Sequence, residues 1–282
     1  MKRPDDSVLF GIRKGVAIYF NNVIEKDRIK EIVCMLVDMT GVTFTGKQAQ
    51  GEPKIRLVRG GWERVFDNTF KSSTFESSNV LMFTDGTKDT LQTTQIYMNL
   101  WNPCRSASCI LVDCMMDIDW KAIINFIQTI NKMLHLQYVS AGYNVVWNDF
   151  WYPGSAAYSL KFLQTLKYAN SKWTEWFYLG FAVNKGICGP NIIQFLSDRL
   201  WERVEQTVRR CNFSCTQLND GVVLDILDHK DGKLFEPEKA ELLDRLSKLY
   251  RALYPIIVST EKPMFLKENE WIAWQRRFEY AE

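Results

Sequence analysis

The stretch "CILVDCMMDIDWKAIINFIQTINKML", residues 109–134, contains the signals of a strand and a helix in direct succession. Its first residues form a short apolar run, which is typical of a β-strand. Asp119 then stands where a helix N-cap is expected. The apolar residues that follow are spaced by four, three and four: Ile123, Ile127, Ile130 and Leu134. This spacing predicts a helix with one buried face.

The same order of elements is found near the start of the chain. There, "GVAIYF" (15–20) predicts a strand, and residues 22–40 predict an amphipathic helix that ends at Gly41. Asn22, with Glu25 three residues later, is typical of a helix N-terminus. The two strand–helix units, 16–40 and 109–134, are similar in form, so an internal duplication is one interpretation, although their identity is slight.

Further strands and helices are mixed along the chain without strict alternation. The predicted strands are 54–58, 79–86, 93–101, 136–147, 176–183 and 221–227, and the predicted helices are 155–169, 192–204, 237–254 and 269–280. A Pro- or Ser-rich linker does not interrupt them. The pattern predicts one α+β domain over residues 1–282, with a mixed or antiparallel sheet packed by several amphipathic helices.

Composition limits the classes of partner and the compartment. Lys and Arg total 35 against 33 Asp and Glu, and a net charge of +2 gives no general attraction to nucleic acid or to an anionic membrane. Acidic Asp5 and Asp6 interrupt the position of a secretory leader, and the apolar runs are too short to span a bilayer. We therefore expect a soluble, cytoplasmic protein with reduced cysteines that contacts neither nucleic acid nor membrane directly.

Residues with the usual chemistry of catalysis are scarce. The chain has two histidines and lacks the spacing of a metal site or a nucleophile motif, so we expect no metal, no cofactor and no catalytic residues.

One alternative function stays open. In the segment Lys185–Asn191, Gly186 and Gly189 precede a predicted helix, whose N-terminus could bind a phosphate. This alternative predicts a nucleotide- or phosphate-binding enzyme, whereas Gly-Pro-Asn is equally the ordinary chemistry of a turn into a helix.

A cluster of aromatic residues follows the predicted strand at 136–147. Trp147, Trp151 and Tyr152 surround Asp149 in "VVWNDFWYPG". Trp and Tyr often anchor protein interfaces because they bury a large area at small entropic cost. The cluster therefore predicts either a protein-binding surface or an aromatic cap on the core.

The order of segments from about 95 to 258 resembles the type VI secretion immunity family. The strongest similarity is "GICGPNIIQFLSDRLWERV" (186–204), which resembles a family signature with these residues in the corresponding segment: Gly186, Ile187, Gly189, Pro190, Asn191, Leu196 and Asp198. The "AGY" at 141–143 and "LYRALYPI" at 249–256 are also similar to family segments. The chain departs from the family at 192–194 and in the turn before the last motif.

The resemblance implies an immunity protein, that is, an antitoxin that binds and blocks a cognate secreted toxin. Some family members are associated with nuclease toxins, so a DNase is one expected partner. The implied mechanism is steric occlusion without catalysis, with aromatic anchors and acidic groups meeting the toxin. The residues expected on that surface are Asp113, Asp117, Trp147, Asp149, Trp151 and Tyr152. The sequence gives no indication of the oligomeric state.

Overall fold

The computed structural model describes residues 10–21, 25–49, 56–70, 79–87, 89–100, 108–148, 166–170, 185–228, 239–258 and 267–279. The strands are β1 Phe10–Phe20, β2 Gly46–Ala49, β3 Arg56–Leu57, β4 Asn79–Thr84, β5 Gln95–Leu100, β6 Ser108–Cys114, β7 Leu136–Trp147, β8 Ala169–Asn170, β9 Ile193–Ser197, β10 Ser214–Gln217 and β11 Gly221–Asp225. The helices are α1 Lys26–Thr40, α2 Trp62–Thr69, α3 Trp120–Ile130, α4 Asp198–Trp201, α5 Glu205–Arg209, α6 Lys239–Leu253 and α7 Glu268–Gln275. A 3₁₀ turn, Tyr254–Ile256, follows α6.

The described strands form one sheet in the order β10-β11-β9-β7-β1-β6-β5-β4-β2-β3, and β8 also pairs with β7. The β7–β8 pair is parallel, and the other pairs are antiparallel. The fold is therefore α+β, as predicted, with a predominantly antiparallel sheet. The two strands that open the predicted strand–helix units, β1 and β6, lie side by side at its centre.

Four of the predicted helices are present, as α1, α3, α6 and α7. In α3, Asp119 is the N-cap and its Oδ1 accepts a hydrogen bond from the Lys121 N–H at 2.9 Å. All four predicted apolar residues of this segment are buried, as are the leucines 242, 246, 249 and 253 of α6. Helix α1 ends at Gly41 in the left-handed conformation, as predicted, but its N-cap is Glu25 and not Asn22. The predicted strand at 176–183 and residues 155–165 of the predicted helix lie outside the described residues. The described end of that predicted helix is not helical, since a turn at 167–168 leads into β8.

The predicted helix at 192–204 is wrong for its first half. Residues Ile193–Ser197 form β9, which pairs with β7 on one side and with β11 on the other. Phe195 and Leu196 are fully buried within this strand, and Ile192, just before it, is also fully buried. A strand that is covered on both faces has no polar alternation, so its short apolar run cannot be told from a buried helix by spacing alone. The helical part begins only at Asp198.

The C-terminal helices pack beside the end of the sheet that is farthest from β2 and β3. The Thr207 hydroxyl of α5 donates to the Ala252 carbonyl of α6 at 2.8 Å. Helix α7 buries Trp271, Trp274 and, in the turn after it, Phe278. None of the helices in the described ranges is long and apolar enough to cross a membrane.

Candidate functional site

The motif segment, residues 185–191, is tied to the chain that follows α6. The Ile187 N–H donates to the Ile256 carbonyl at 2.8 Å, and the Val258 N–H donates to the Ile187 carbonyl at 2.9 Å. Gly186 lies so close to the Ile256 carbonyl that a Cβ at this position would overlap it. Glycine is therefore required here by the close approach of two backbones.

The other end of the motif segment is joined to β7 through buried side chains. Asn191 is 4% exposed, and its Nδ2 donates to the Ser140 hydroxyl at 2.8 Å while its Oδ1 accepts from the Ile192 N–H at 3.0 Å. The Asn191 side chain occupies the space above Gly142, where a Cβ would overlap it. The asparagine of the 186–204 motif and the glycine of "AGY" are thus packed against each other, although they are distant in sequence.

Gly189 contributes its carbonyl oxygen to the same network. The Gln194 Nε2 donates to this oxygen at 2.8 Å and to the Tyr138 hydroxyl at 2.7 Å. Gln194 is fully buried on β9. These bonds hold the motif segment over the face of the sheet formed by β7 and β9.

The geometry of the motif segment does not support the phosphate-binding alternative. The segment leads into strand β9, so it lacks the free N–H groups of a helix N-terminus. The amides of Ile187 and Ile192 are already bonded within the protein. Pro190 is buried beside them and has no N–H to offer.

Leu196 and Asp198, the last two motif residues, differ in exposure. Leu196 is fully buried on β9, opposite Tyr138 of β7 and Val222 of β11. Asp198 is exposed at the first position of α4, and its N–H donates to the Asp220 carbonyl at 3.0 Å. Apart from Asp198, the motif residues therefore have interior, structural environments.

Asp113, predicted on the partner-binding surface, is instead inside the protein. It is the next-to-last residue of β6, is 2% exposed, and accepts a hydrogen bond from Asn144 Nδ2 at 2.9 Å. Asn144 has room for this contact because Gly15, between them on β1, has no side chain. The burial of Asp113 thus depends on the absence of a side chain at Gly15 of β1.

Trp147, the predicted aromatic anchor, is also buried. It is the last residue of β7, pairs with Phe10 of β1, and is fully inaccessible. The predictions for Asp113 and Trp147 therefore need correction, because neither side chain reaches the surface. Asp117 is exposed in the turn before α3. Asp149, Trp151 and Tyr152 lie outside the described residues.

Two charged or ionisable side chains near Asp113 are also internal. Lys14 is 1% exposed, donates to the Ile118 carbonyl at 2.6 Å, and lies 4.6 Å from the Trp120 ring centroid. Burial raises the pKa of the Cys114 thiol to about 12, and Asp113 adds to the effect. Because only the thiolate is strongly nucleophilic, Cys114 is unreactive at neutral pH. Within the described ranges, His, Cys, Asp and Glu do not form a group of three that could hold a metal ion.

The described surface contains a cleft between the motif segment, the 3₁₀ turn and α7. Its volume is about 400 Å³, and it is lined by Cys188, Tyr250, Tyr254, Ile257, Val258, Glu268, Ile272, Gln275, Arg276 and Glu279. We refer to it as the C-terminal cleft. The sequence patterns do not predict this cleft. A signal was present in α7, where Ile272 lies off the face formed by Trp271 and Trp274.

The C-terminal cleft combines aromatic rings with charged groups. The Tyr250 and Tyr254 ring centroids are 6.1 Å apart in an edge-on arrangement. Burial raises the pKa of the Tyr250 hydroxyl, and the Glu279 carboxylate raises it further. Arg276 Nε lies 3.8 Å from Glu279 Oε2, so these two charges compensate each other. Glu268 is exposed at the start of α7.

Comparisons with known proteins find similarity among solved structures. Models of known protein families do not match the chain, and neither do curated proteins. Among solved structures, the fold is similar to that of the Pseudomonas aeruginosa T6SS protein PA0821, with a TM-score of 0.74 and 12% sequence identity. The similarity covers 96% of this chain and 84% of that chain. The two proteins therefore share a fold.

Proposed function

We propose that this chain is an immunity protein of the type VI secretion system, which binds a cognate toxin and neutralises it by steric occlusion. The observation that carries the proposal is the similarity of nearly the whole fold to a type VI secretion system protein, PA0821. The sequence resemblance at 186–204 supports the same assignment from a separate kind of data. A nuclease is one class of toxin that the resemblance implies.

The surroundings of the motif residues support a binding protein over an enzyme that uses this segment. Asn191 and Gly189 direct their polar atoms at Ser140 and Gln194 inside the protein, and Gly186 is packed on a backbone carbonyl. Groups that are used in this way hold the segment in place. They leave the exposed surface around the segment, including the C-terminal cleft, to meet a partner.

The test is co-expression with the toxin encoded beside this chain's gene. We expect cells that produce the toxin alone to die, and cells that produce both proteins to survive and to yield a complex on copurification through a tag on either protein. An empty vector and an inactivated toxin are the controls. Survival without a complex would refute occlusion and would favour an enzymatic route of protection. Death of the co-expressing cells would refute the immunity function for that toxin.

A further inference from the structure

Large apolar side chains are exposed at few positions of the described surface, and two of them border the C-terminal cleft. Tyr254 is 61% exposed and Ile272 is 41% exposed, whereas the other two, Leu57 and Met116, lie elsewhere. Single exposed apolar residues are ordinary, but two that flank one concave site are typical of a binding surface.

The charges in the C-terminal cleft favour a cationic guest. Glu279 is compensated by Arg276, whereas among the described residues none forms an ion pair with Glu268. The ring of Tyr254, exposed in the same cleft, provides a π-face that attracts cations. An ammonium or guanidinium group in the cleft would therefore meet both a carboxylate and an aromatic ring.

The walls of the cleft are fixed before any partner arrives. The Arg203 guanidinium donates to the Lys185 carbonyl at 3.1 Å and to the Pro255 carbonyl at 2.7 Å, which joins the motif segment to the 3₁₀ turn. The backbone bonds of Ile187 with Ile256 and Val258 add to this link. A preformed site loses little conformational entropy on binding, so it is suited to tight association.

From these features we propose that the C-terminal cleft is the toxin-docking site, and that it receives a lysine or arginine side chain of the toxin. The apolar neighbours of that side chain pack on Tyr254 and Ile272, and Glu268 pairs with its charge. This inference rests on the proposed immunity function and names the surface and the chemistry through which that function operates.

The test uses the purified chain and an inactivated form of the toxin encoded beside its gene. The variants Tyr254→Ala, Ile272→Ala and Glu268→Lys change exposed side chains, so they are expected to fold, which circular dichroism and thermal unfolding check. Each should raise the Kd about tenfold or more, as for residues at the centre of an interface. The matched controls are Leu57→Ala for the apolar changes and Glu202→Lys for the charge reversal, and both should bind like the wild type.

The outcomes distinguish a failure of the cleft assignment from a failure of the proposed immunity function. If the wild type binds and protects, but the three variants also bind with unchanged Kd, the cleft assignment is overturned and the immunity function stands. If the wild type neither binds nor protects, the proposed function fails and the cleft assignment fails with it. The guest residue can be identified with toxin variants in which one Lys or Arg is changed to Glu. The variant at the guest position should lose binding to the wild-type chain and regain it with Glu268→Lys.

Discussion

Gly142→Ala is expected to destabilise the protein strongly, although alanine is a conservative replacement. Gly142 is not among the glycines with positive φ, so its backbone conformation is open to any residue. The added Cβ would overlap the Asn191 side chain, far inside the 3.0 Å limit that real Cβ contacts respect. The effect should therefore come from steric displacement of Asn191 and not from backbone strain.

The magnitude follows from the contacts that Asn191 would lose. Displacement breaks its bonds to Ser140 and Ile192, and each buried group left without a partner costs about 1–3 kcal/mol. Overpacking adds about 1–3 kcal/mol, and the stiffer unfolded chain of the alanine variant returns about 0.4–1 kcal/mol. These terms sum to about 2–9 kcal/mol, and because displacement of Asn191 itself relieves part of the overpacking, we expect a net loss of about 3–5 kcal/mol in the free energy of unfolding.

The assay is equilibrium unfolding in urea, performed on a double-mutant cycle with Asn191→Ala. In the Asn191→Ala background the methyl group has room, so Gly142→Ala should then cost less than about 1 kcal/mol, which gives a coupling energy of about 2 kcal/mol or more. If the two changes are additive, or if Gly142→Ala alone costs less than about 1 kcal/mol, the steric reasoning is refuted.

Three further predictions concern stability. Asp119→Ala removes the side-chain cap of α3 and should lower the free energy of unfolding by about 1 kcal/mol, whereas Asp117→Ala, in the same exposed turn, should have little effect in the same urea titration. Gly41→Ala places a Cβ at φ 62°, where space is open but the conformation is strained, and should cost about 1 kcal/mol. For Cys114, whose pKa is raised to about 12 in the folded protein, the unfolded thiol ionises first as pH increases. Stability should therefore fall between about pH 9 and pH 12 by up to about 1.4 kcal/mol per pH unit, and Cys114→Ala should show a shallower decline; parallel curves would contradict the shift.

Elements that bury only one face could be predicted from local patterns in the sequence. The stripe of Ile123, Ile127 and Ile130 predicted α3, and Asp119 predicted its first turn, because an amphipathic helix carries its own period in the sequence. The meander of β4, β5 and β6 was similarly evident from apolar runs separated by polar turns. These features depend on neighbours in the chain, so a single sequence is sufficient to find them.

Features that depend on distant strands could not be predicted in this way. The segment Ile193–Ser197 is a strand because β7 and β11 cover both of its edges, and its own spacing does not reveal those partners. Asp113 is buried because Gly15 leaves room for Asn144, and Gly15 is aligned with Gly142 only through the register of β1 and β7. The polarity of Asp113 alone predicted a surface position, since unpaired carboxylates are seldom buried.

The interior position of the motif residues has a consequence for recognition. Asn191, Gly142 and Gly186 specify how the motif segment lies against β7 and against the chain after α6, and none of these contacts requires a particular toxin. A resemblance carried by such residues therefore reports the fold, and proteins that share it are free to differ in their partners. Under the proposed immunity function, specificity comes from side chains that the motif positions but does not include. The proposed docking site, the C-terminal cleft, fits this description, because Cys188 of the motif segment lines it together with Tyr254, Glu268 and Ile272.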